Sequence, residues 1–267
     1  MKIIRYAKSK GSAYAALQPD GSAHAITGDI LGEFRVTERV VKPGKILAPI
    51  VPPNILAIGL NYRRHAAESG KEAPKIPMLF IKSTSSLQNP GDPIEVPVKL
   101  ASHEVDFECE LAIVIGKTCK NATRANALDY VLGYTCANDV SARDWQIQWG
   151  GGQFCQGKSF DTFCPLGPVL VTRDEIPNPN KLGIKTIVNG AALQDWNTDD
   201  MVFDVPALIE FLSGSKTLLP GTVILTGTPH GVGFARKPPV YLKEGDTVSI
   251  EIEKIGTLTN PVVNEKV

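Results

Sequence analysis

A mixed α+β fold, mainly β, is what this chain of 267 residues predicts. Three observations carry that expectation. Short β-branched or alternating runs recur between Gly, Pro, Asn and Asp signals, the pattern of strands joined by turns. Helix-like stretches are few and short. A cluster of prolines, Pro43, Pro49, Pro52 and Pro53, reads as a linker between a small N-terminal β-rich domain at 1–48 and a main domain at 49–267. No internal repeat or heptad pattern points to a solenoid or coiled coil.

Composition narrows the function. With 43% hydrophobic and 21% charged residues the chain has the balance of an ordinary soluble protein able to bury a sizeable core. Lys plus Arg equals Asp plus Glu at 28 each, so net charge favours neither nucleic acid nor an anionic membrane, and the expected partner is a small molecule. Five cysteines form no C-x-x-C pair, and this odd number, with no apolar signal core at the N-terminus, suggests reduced thiols in a cytoplasmic setting. No apolar run reaches membrane-spanning length.

In chain order, alternation in Ala13–Leu17 and Ala23–Ile26 around the turn Gln18–Gly21 predicts a hairpin, in which His24 is given no role. The main domain opens with a buried strand, Asn54–Leu60. Asn61 as N-cap and Gly70 as C-terminal stop then bracket a helix of about two turns. His65 and Glu68 share a face of it at a spacing of three. That pair is either a surface ion pair of little consequence or a general base oriented by a carboxylate. Pro77–Lys82 is a strand ending in a lysine, and Asn89–Pro93 a turn.

The stretch Asp106–Gly116 is the centre of the chemistry. Extended side chains alternate, so Glu108 and Glu110 share a face with Ala112 and Val114, while Cys109, Leu111, Ile113 and Ile115 take the other. Both faces look buried, and like charges buried together need a cation or a proton. A second apolar run, Tyr130–Asp139, delivers a third carboxylate. Glu108, Glu110 and Asp139 thus make a hard-oxygen set suited to Mg²⁺ or Mn²⁺, against the alternative of solvated carboxylates on an exposed strand.

Asn121–Leu128 reads as helical, and Ser141–Gln146 as a helical turn that brings Arg143 and Gln146 near Asp139. Arg143 would clamp a substrate carboxylate or merely pair with Asp139 or Asp144. Gly152–Ser159 fits the letters of a nucleotide-binding P-loop, but no buried strand precedes it and Pro165 with aromatic neighbours leaves no room for a long helix. It is therefore set aside, and Lys158 is kept as an isolated cation in an apolar setting. Lys185–Trp196 predicts a hairpin about Asn189–Gly190, and the segment after Asp204 an amphipathic helix. Thr222–Thr226 is a strand, and Gly227–Gly233 a rigid loop whose amides suit an anion. Val240–Leu242 and Thr247–Glu253 close the chain as strands.

Taken together these residues resemble the fumarylacetoacetate hydrolase family. The matching blocks are Gly59–Glu68, Phe80–Lys82, Asp106–Lys117, Asn138–Gln146, Gly157–Asp161, Val188–Gly190 and Ile224–Gly233, in order across residues 54–253. The resemblance implies a β-roll or barrel-like catalytic domain, in some members behind a small N-terminal domain, and a homodimer. It implies a divalent metal, usually Mg²⁺, with Mn²⁺ or Ca²⁺ as alternatives, held by Glu108, Glu110 and Asp139. By position it makes His65 and Glu68 a catalytic pair on a mobile lid and Lys158 an active-site lysine. Arg143, Gln146 and Thr228 become substrate contacts, and Lys82 a pocket lysine.

The function expected from this is a metal-dependent hydrolase that cleaves a carbon–carbon bond in 2,4-dioxo acids of acylpyruvate or fumarylacetoacetate type. The metal would chelate the C1 carboxylate and C2 oxygen, stabilising the charge of an enolate as it forms. Tautomerisation or decarboxylation of oxaloacetate on the same site is the alternative. ATP binding through Gly152–Ser159 and a catalytically silent binding module are remote ones.

Overall fold

The computed structural model describes residues 1–267 throughout. Five strands come from the first 48 residues: β1 (Lys2–Ala7), β2 (Ser12–Leu17), β3 (Ala23–Gly28), β4 (Phe34–Val41) and β5 (Ile46–Leu47). There follow β6 (Ile55–Gly59), helix α1 (Arg63–Glu68), β7 (Met78–Lys82), β8 (Leu87–Gln88), β9 (Ile94–Val96) and β10 (Val105–Asp106). The central pair is β11 (Cys109–Ile115) and β13 (Val131–Asn138), separated by the short β12 (Cys119–Lys120). Beyond them lie β14 (Ser141–Ala142), a π-helical turn Asp144–Gln148, helix α2 (Cys155–Lys158) and β15 (Cys164–Thr172). The last third holds β16 (Gly183–Val188), β17 (Ala191–Asn197), helix α3 (Val205–Ser213) and β18 (Thr217–Leu218). It ends with β19 (Val223–Leu225), β20 (Thr247–Ile252) and β21 (Gly256–Asn264).

Ten of these strands run side by side as β4-β3-β2-β1-β15-β13-β11-β19-β6-β7, with β5 added on β1 and β8 on β15. The path ends at β4 and β7 without closing, so the barrel-like expectation gives way to an open sheet accompanied by a second one, β17-β16-β20-β21-β9. Residues 1–48 are joined to the rest through backbone pairing, with Lys2 opposite Val171. Ile4 packs in the same apolar cluster as Leu111 and Ile113.

Strand β11 is buried over its whole length, and the predicted alternation holds. Leu111, Ile113 and Ile115 face a cluster with Ile184, Val248 and Ile250 of the second sheet. Ala112 and Val114 face a second cluster with Ile3, Ile55, Leu166 and Leu225. A strand buried on both faces must match two apolar surfaces at once, which fixes its register and hence where its acidic end emerges.

The predicted hairpin at Asn189–Gly190 forms with both turn residues at positive φ, the tight two-residue geometry that asparagine and glycine favour. Asp204 caps α3 by accepting from the Ala207 amide. Asn121–Leu128 is not a helix: Asn121 is left-handed, the Asn126 side chain takes the Thr123 amide, and only the 3-10 turn Ala127–Tyr130 remains. Val240–Leu242 forms no strand, because Val240 and Leu242 donate to the Gly233 and Val105 carbonyls of separate segments. Ser141–Gln146 is split between β14 and the π-turn. The Asp144 carboxylate takes Ser102 Oγ and the amides of His103 and Trp145. No helix is long and apolar enough to cross a membrane.

Helix α1 ends as expected, with Gly70 left-handed at φ 66°. Its start differs. Tyr62 occupies the N-cap position, and Asn61 is buried, donating to the Thr226 and Phe203 carbonyls at 2.7 and 3.0 Å while accepting the Phe203 amide at 2.9 Å. Asn61 therefore ties three chain segments rather than one helix. Replacing it with alanine leaves several buried polar groups unpaired, so Asn61→Ala is expected to cost about 3 kcal/mol. Urea unfolding measures this; a loss below about 1 kcal/mol would match a simple cap instead.

Candidate active site

Antiparallel pairing of β11 with β13 sets Cys109 opposite Asn138, so the residues just outside that pair, Glu108 and Asp139, meet at the sheet's end. The Asp139 amide donates to the Glu108 carbonyl at 3.0 Å. Glu110 follows on the same face of β11. Each of the three carboxylates offers an oxygen within 4.8 Å of the others, and all three residues are buried. The acidic triad drawn from the sequence is thus one spatial cluster.

Buried cations surround it. Lys158 Nζ donates to Glu108 Oε2 at 2.8 Å and to Asp139 Oδ2 at 2.7 Å. It reaches them because α2 lies hard against the π-turn. A Cβ at Gly157 would stand 2.6 Å from the Gln146 amide nitrogen and 2.7 Å from the Ala142 carbonyl. Arg143 bridges Asp106 at 2.9 Å and Glu108 at 2.7 Å and donates to Gln146 Oε1. Lys82, at the end of β7, lies 2.6 Å from Asp139 Oδ1 and also holds the Val140 and Lys158 carbonyls. Its side chain is fully buried, and β7 delivers it against Asp139, where it positions that carboxylate.

The charge balance shows what the cluster lacks. Asp106, Glu108, Glu110 and Asp139 are four carboxylates facing three cations, Lys82, Arg143 and Lys158. Burial opposes ionisation of Glu108, but Lys158 and Arg143 outweigh it and hold its carboxyl well below the usual range. Burial likewise opposes the charge on Lys158, yet Asp139 and Glu108 raise its pKa. Glu110 has no such partner. Burial, then Asp139 and Glu108, push its carboxyl well above the usual range, and its one hydrogen bond comes from the Gly227 amide at 2.6 Å. Three convergent carboxylates with one left short of positive charge fit a hard divalent cation.

Helix α1 sets His65 beside this cluster, with Nδ1 2.7 Å from Glu68 Oε1. Glu68 in turn accepts the Gly231 amide at 3.1 and 2.9 Å. With Nδ1–H donated to the carboxylate, Nε2 is the ring nitrogen left to exchange a proton. Arg64 stacks over the Trp196 ring at 3.7 Å, and Arg63 donates to the Asp200 and Met201 carbonyls, so both flanks of the helix are docked. The predicted anion-binding loop Gly227–Gly233 spends its amides on the chain's own carboxylates: Gly227 on Glu110, Gly231 on Glu68, and Gly233 with Phe234 on Asp106.

A cavity of about 370 Å³ is lined by His65, Glu108, Glu110, Arg143, Gln146, Lys158 and Thr228, with Ile58, Phe80, Phe154 and Phe234 supplying apolar wall. Lys158, the lysine of the P-loop-like letters, is committed to buried ion pairs at the end of a four-residue helix, so no phosphate cradle forms. Two positioning residues escaped sequence reasoning. Asp106 accepts from Arg143 and three backbone amides, and only its place at the head of the acidic stretch marked it. Gln194 accepts the Cys109 amide and donates to Thr228 Oγ1 and the Pro229 carbonyl, and a lone glutamine in a hairpin strand carries no signal.

Comparison with known proteins places this geometry. The model described as fumarylacetoacetate (FAA) hydrolase C-terminal matches residues 54–263, and one described as Rv2993c-like, N-terminal, matches residues 1–49. This chain belongs to the fumarylacetoacetate hydrolase family. Relatives within it include the oxaloacetate tautomerase fahd2, mitochondrial, of Xenopus laevis, 54% identical over 219 residues covering 82% of this chain and 68% of that protein. The human oxaloacetate tautomerase FAHD2A, mitochondrial, is 49% identical, covering 81% and 69%. Among solved structures, 5-carboxymethyl-2-hydroxymuconate delta-isomerase from Mycobacterium smegmatis is 41% identical with a TM-score of 0.86, covering 99% of this chain and 100% of that one. Fumarylacetoacetate hydrolase from Exiguobacterium antarcticum is 38% identical with a TM-score of 0.88 at the same coverage. The family holds isomerases, tautomerases and hydrolases on one fold.

The state of Glu110 is measurable. Burial, Asp139 and Glu108 favour the protonated form of Glu110, whereas a cation bound beside it favours the ionised form, so binding is coupled to release of any proton the carboxyl carries. Mg²⁺ titration by calorimetry in buffers of different ionisation enthalpy is expected to show proton release that grows toward one per ion as pH falls and more Glu110 is protonated. Glu110→Gln should remove it. Heats independent of the buffer would mean that Glu110 is already ionised.

Proposed function

We propose that this family member is a divalent-metal-dependent enzyme of 2-oxo acids whose reaction is keto–enol tautomerisation of the oxaloacetate type. The observation that carries the reading is that one cavity is lined both by His65, oriented by Glu68, and by Glu108 and Glu110 of the acidic cluster. The names of the Xenopus and human relatives support tautomerisation ahead of the hydrolysis suggested by the sequence.

Glu108, Glu110 and Asp139 would hold Mg²⁺, with Mn²⁺ or Ca²⁺ as alternatives. When bound, the ion would stabilise negative charge growing on the 2-oxo oxygen. Lys158 adds a fixed positive charge at the same place, kept protonated by Asp139 and Glu108. Arg143, Gln146 and Thr228 line the cavity where they orient the C1 carboxylate, Arg143 being itself braced by Asp106. His65 Nε2 takes a proton from C3 and returns it to the 2-oxo oxygen, while Glu68 steadies the imidazolium between the two transfers. The docked α1 helix limits access of bulk water.

Carbon–carbon hydrolysis of a 2,4-dioxo acid is the second reading, supported by the likeness to the Exiguobacterium hydrolase. There His65 would activate water for attack on the distal carbonyl. The exposed apolar side chains Met78, Leu79 and Ile81 of β7, at the edge of the large sheet, are the surface on which a homodimer would form.

Stopped-flow ultraviolet absorbance with oxaloacetate, and separately with acetylpyruvate, tests both readings. Accelerated enol–keto relaxation at constant total oxaloacetate is expected, with acetylpyruvate untouched. Magnesium-dependent loss of the acetylpyruvate diketone would establish the hydrolase instead. Glu108→Ala combined with Asp139→Ala should abolish Mg²⁺ binding and turnover, and full retention would sink the scheme. His65→Ala should slow tautomerisation by about 10²–10⁴-fold with Mg²⁺ affinity preserved.

A further inference from the structure

The cavity has a second charged feature that the proposed chemistry does not use. Of the cations in its lining, Arg143 and Lys158 are neutralised by Asp106, Glu108 and Asp139. Lys71 also lines the cavity, is exposed, and pairs with no carboxylate of the chain. Its backbone is fixed by the turn that ends α1: the Lys71 amide donates to the Ala66 carbonyl at 2.9 Å and the Gly70 amide to Ala67 at 3.0 Å, around the left-handed Gly70. The Lys71 backbone is thereby held in a set relation to His65 of α1. Ser69, two residues earlier, is another lining residue, and its Oγ is buried without a hydrogen-bond partner. A buried hydroxyl left unpaired is costly unless an occupant of the cavity satisfies it.

We infer that Lys71, assisted by Ser69, recognises a second carboxylate on the substrate, so that the site selects 2-oxo dicarboxylic acids over 2-oxo monocarboxylic acids. This rests on the reading that the cavity takes 2-oxo acids, whose C1 carboxylate lies at Arg143, Gln146 and Thr228. The wall formed by Ile58, Phe80 and Phe154 supplies no cation. Glu68 is engaged by His65 and the Gly231 amide and forms no ion pair with Lys71. The carbonyls at the end of α1 disfavour an anion there, and the lysine offsets them. Lys71 is a specificity residue in this scheme, apart from the proton transfer.

Calorimetric titration of the Mg²⁺-supplied protein with 2-oxoglutarate and with 2-oxopentanoate isolates the contact, because these acids share a chain length and differ in the distal carboxylate. The wild type is expected to bind the diacid about fivefold more tightly, the scale of one exposed charge pair. Lys71→Met should remove that preference by weakening the diacid alone, Lys71→Arg should restore it, and Ser69→Ala should reduce it. Equal affinities in the wild type, or a preference that survives Lys71→Met, would overturn the inference. The binding preference and turnover are read separately. Equal affinities in the wild type with tautomerisation intact reject Lys71 alone, whereas a wild-type preference without any 2-oxo acid turnover rejects the proposed reaction.

Discussion

Four carboxylates and three cations buried at the ends of β11 and β13 form the constraint to which the rest of this structure answers. Ions removed from water lose solvation worth several kcal/mol each, and only close, well-directed partners recover it. The chain meets that demand from six separate places: β7 brings Lys82, α2 brings Lys158, the π-turn is preceded by Arg143, β10 brings Asp106, and the ends of β11 and β13 bring the other acids. The strands are already placed by the sheet, whereas the short α2 depends more on these contacts. Helix α2 has only four residues, and its lysine is tied to two carboxylates.

The loop Gly227–Gly233 extends that network to the catalytic pair. Through its amides it touches Glu110, Glu68 and Asp106, which belong to the acidic cluster, to the helix carrying His65 and to the support of Arg143. Backbone amides suit this task because they present direction without side-chain freedom. Close approach requires glycine here: at Gly227, whose φ is 93°, a Cβ would lie 2.7 Å from that of Asn61. The position of His65 relative to Glu110 is thus set by one short loop, and Asn61 reinforces it by bonding the Thr226 carbonyl at the loop's start.

Much of this was legible beforehand, and for a local reason. Alternation along Cys109–Ile115 needs only the two-residue period of a strand, and it correctly set Glu108 and Glu110 on one face. The turn at Asn189–Gly190 and the cap at Asp204 follow from backbone preferences of a few residues. The misread elements were those where distant partners overrode local preference. Asn61 has the chemistry of an N-cap but bonds Thr226 and Phe203 instead. Ala127 and its neighbours favour a helix, yet the left-handed Asn121 and the Asn126 side chain produce a turn.

By itself, then, the sequence determined a mainly β protein, three carboxylates convergent on the end of a core strand pair, and a histidine–glutamate pair on a short helix. These depend on periodicity and spacing, which are properties of neighbouring residues. Tertiary structure alone decided that Lys82 pairs with Asp139, that Asp106 and Gln194 brace the site, and that the sheet stays open. It also decided that Glu110 is the carboxylate left without a cation, because electrostatic compensation depends on distances between segments many residues apart.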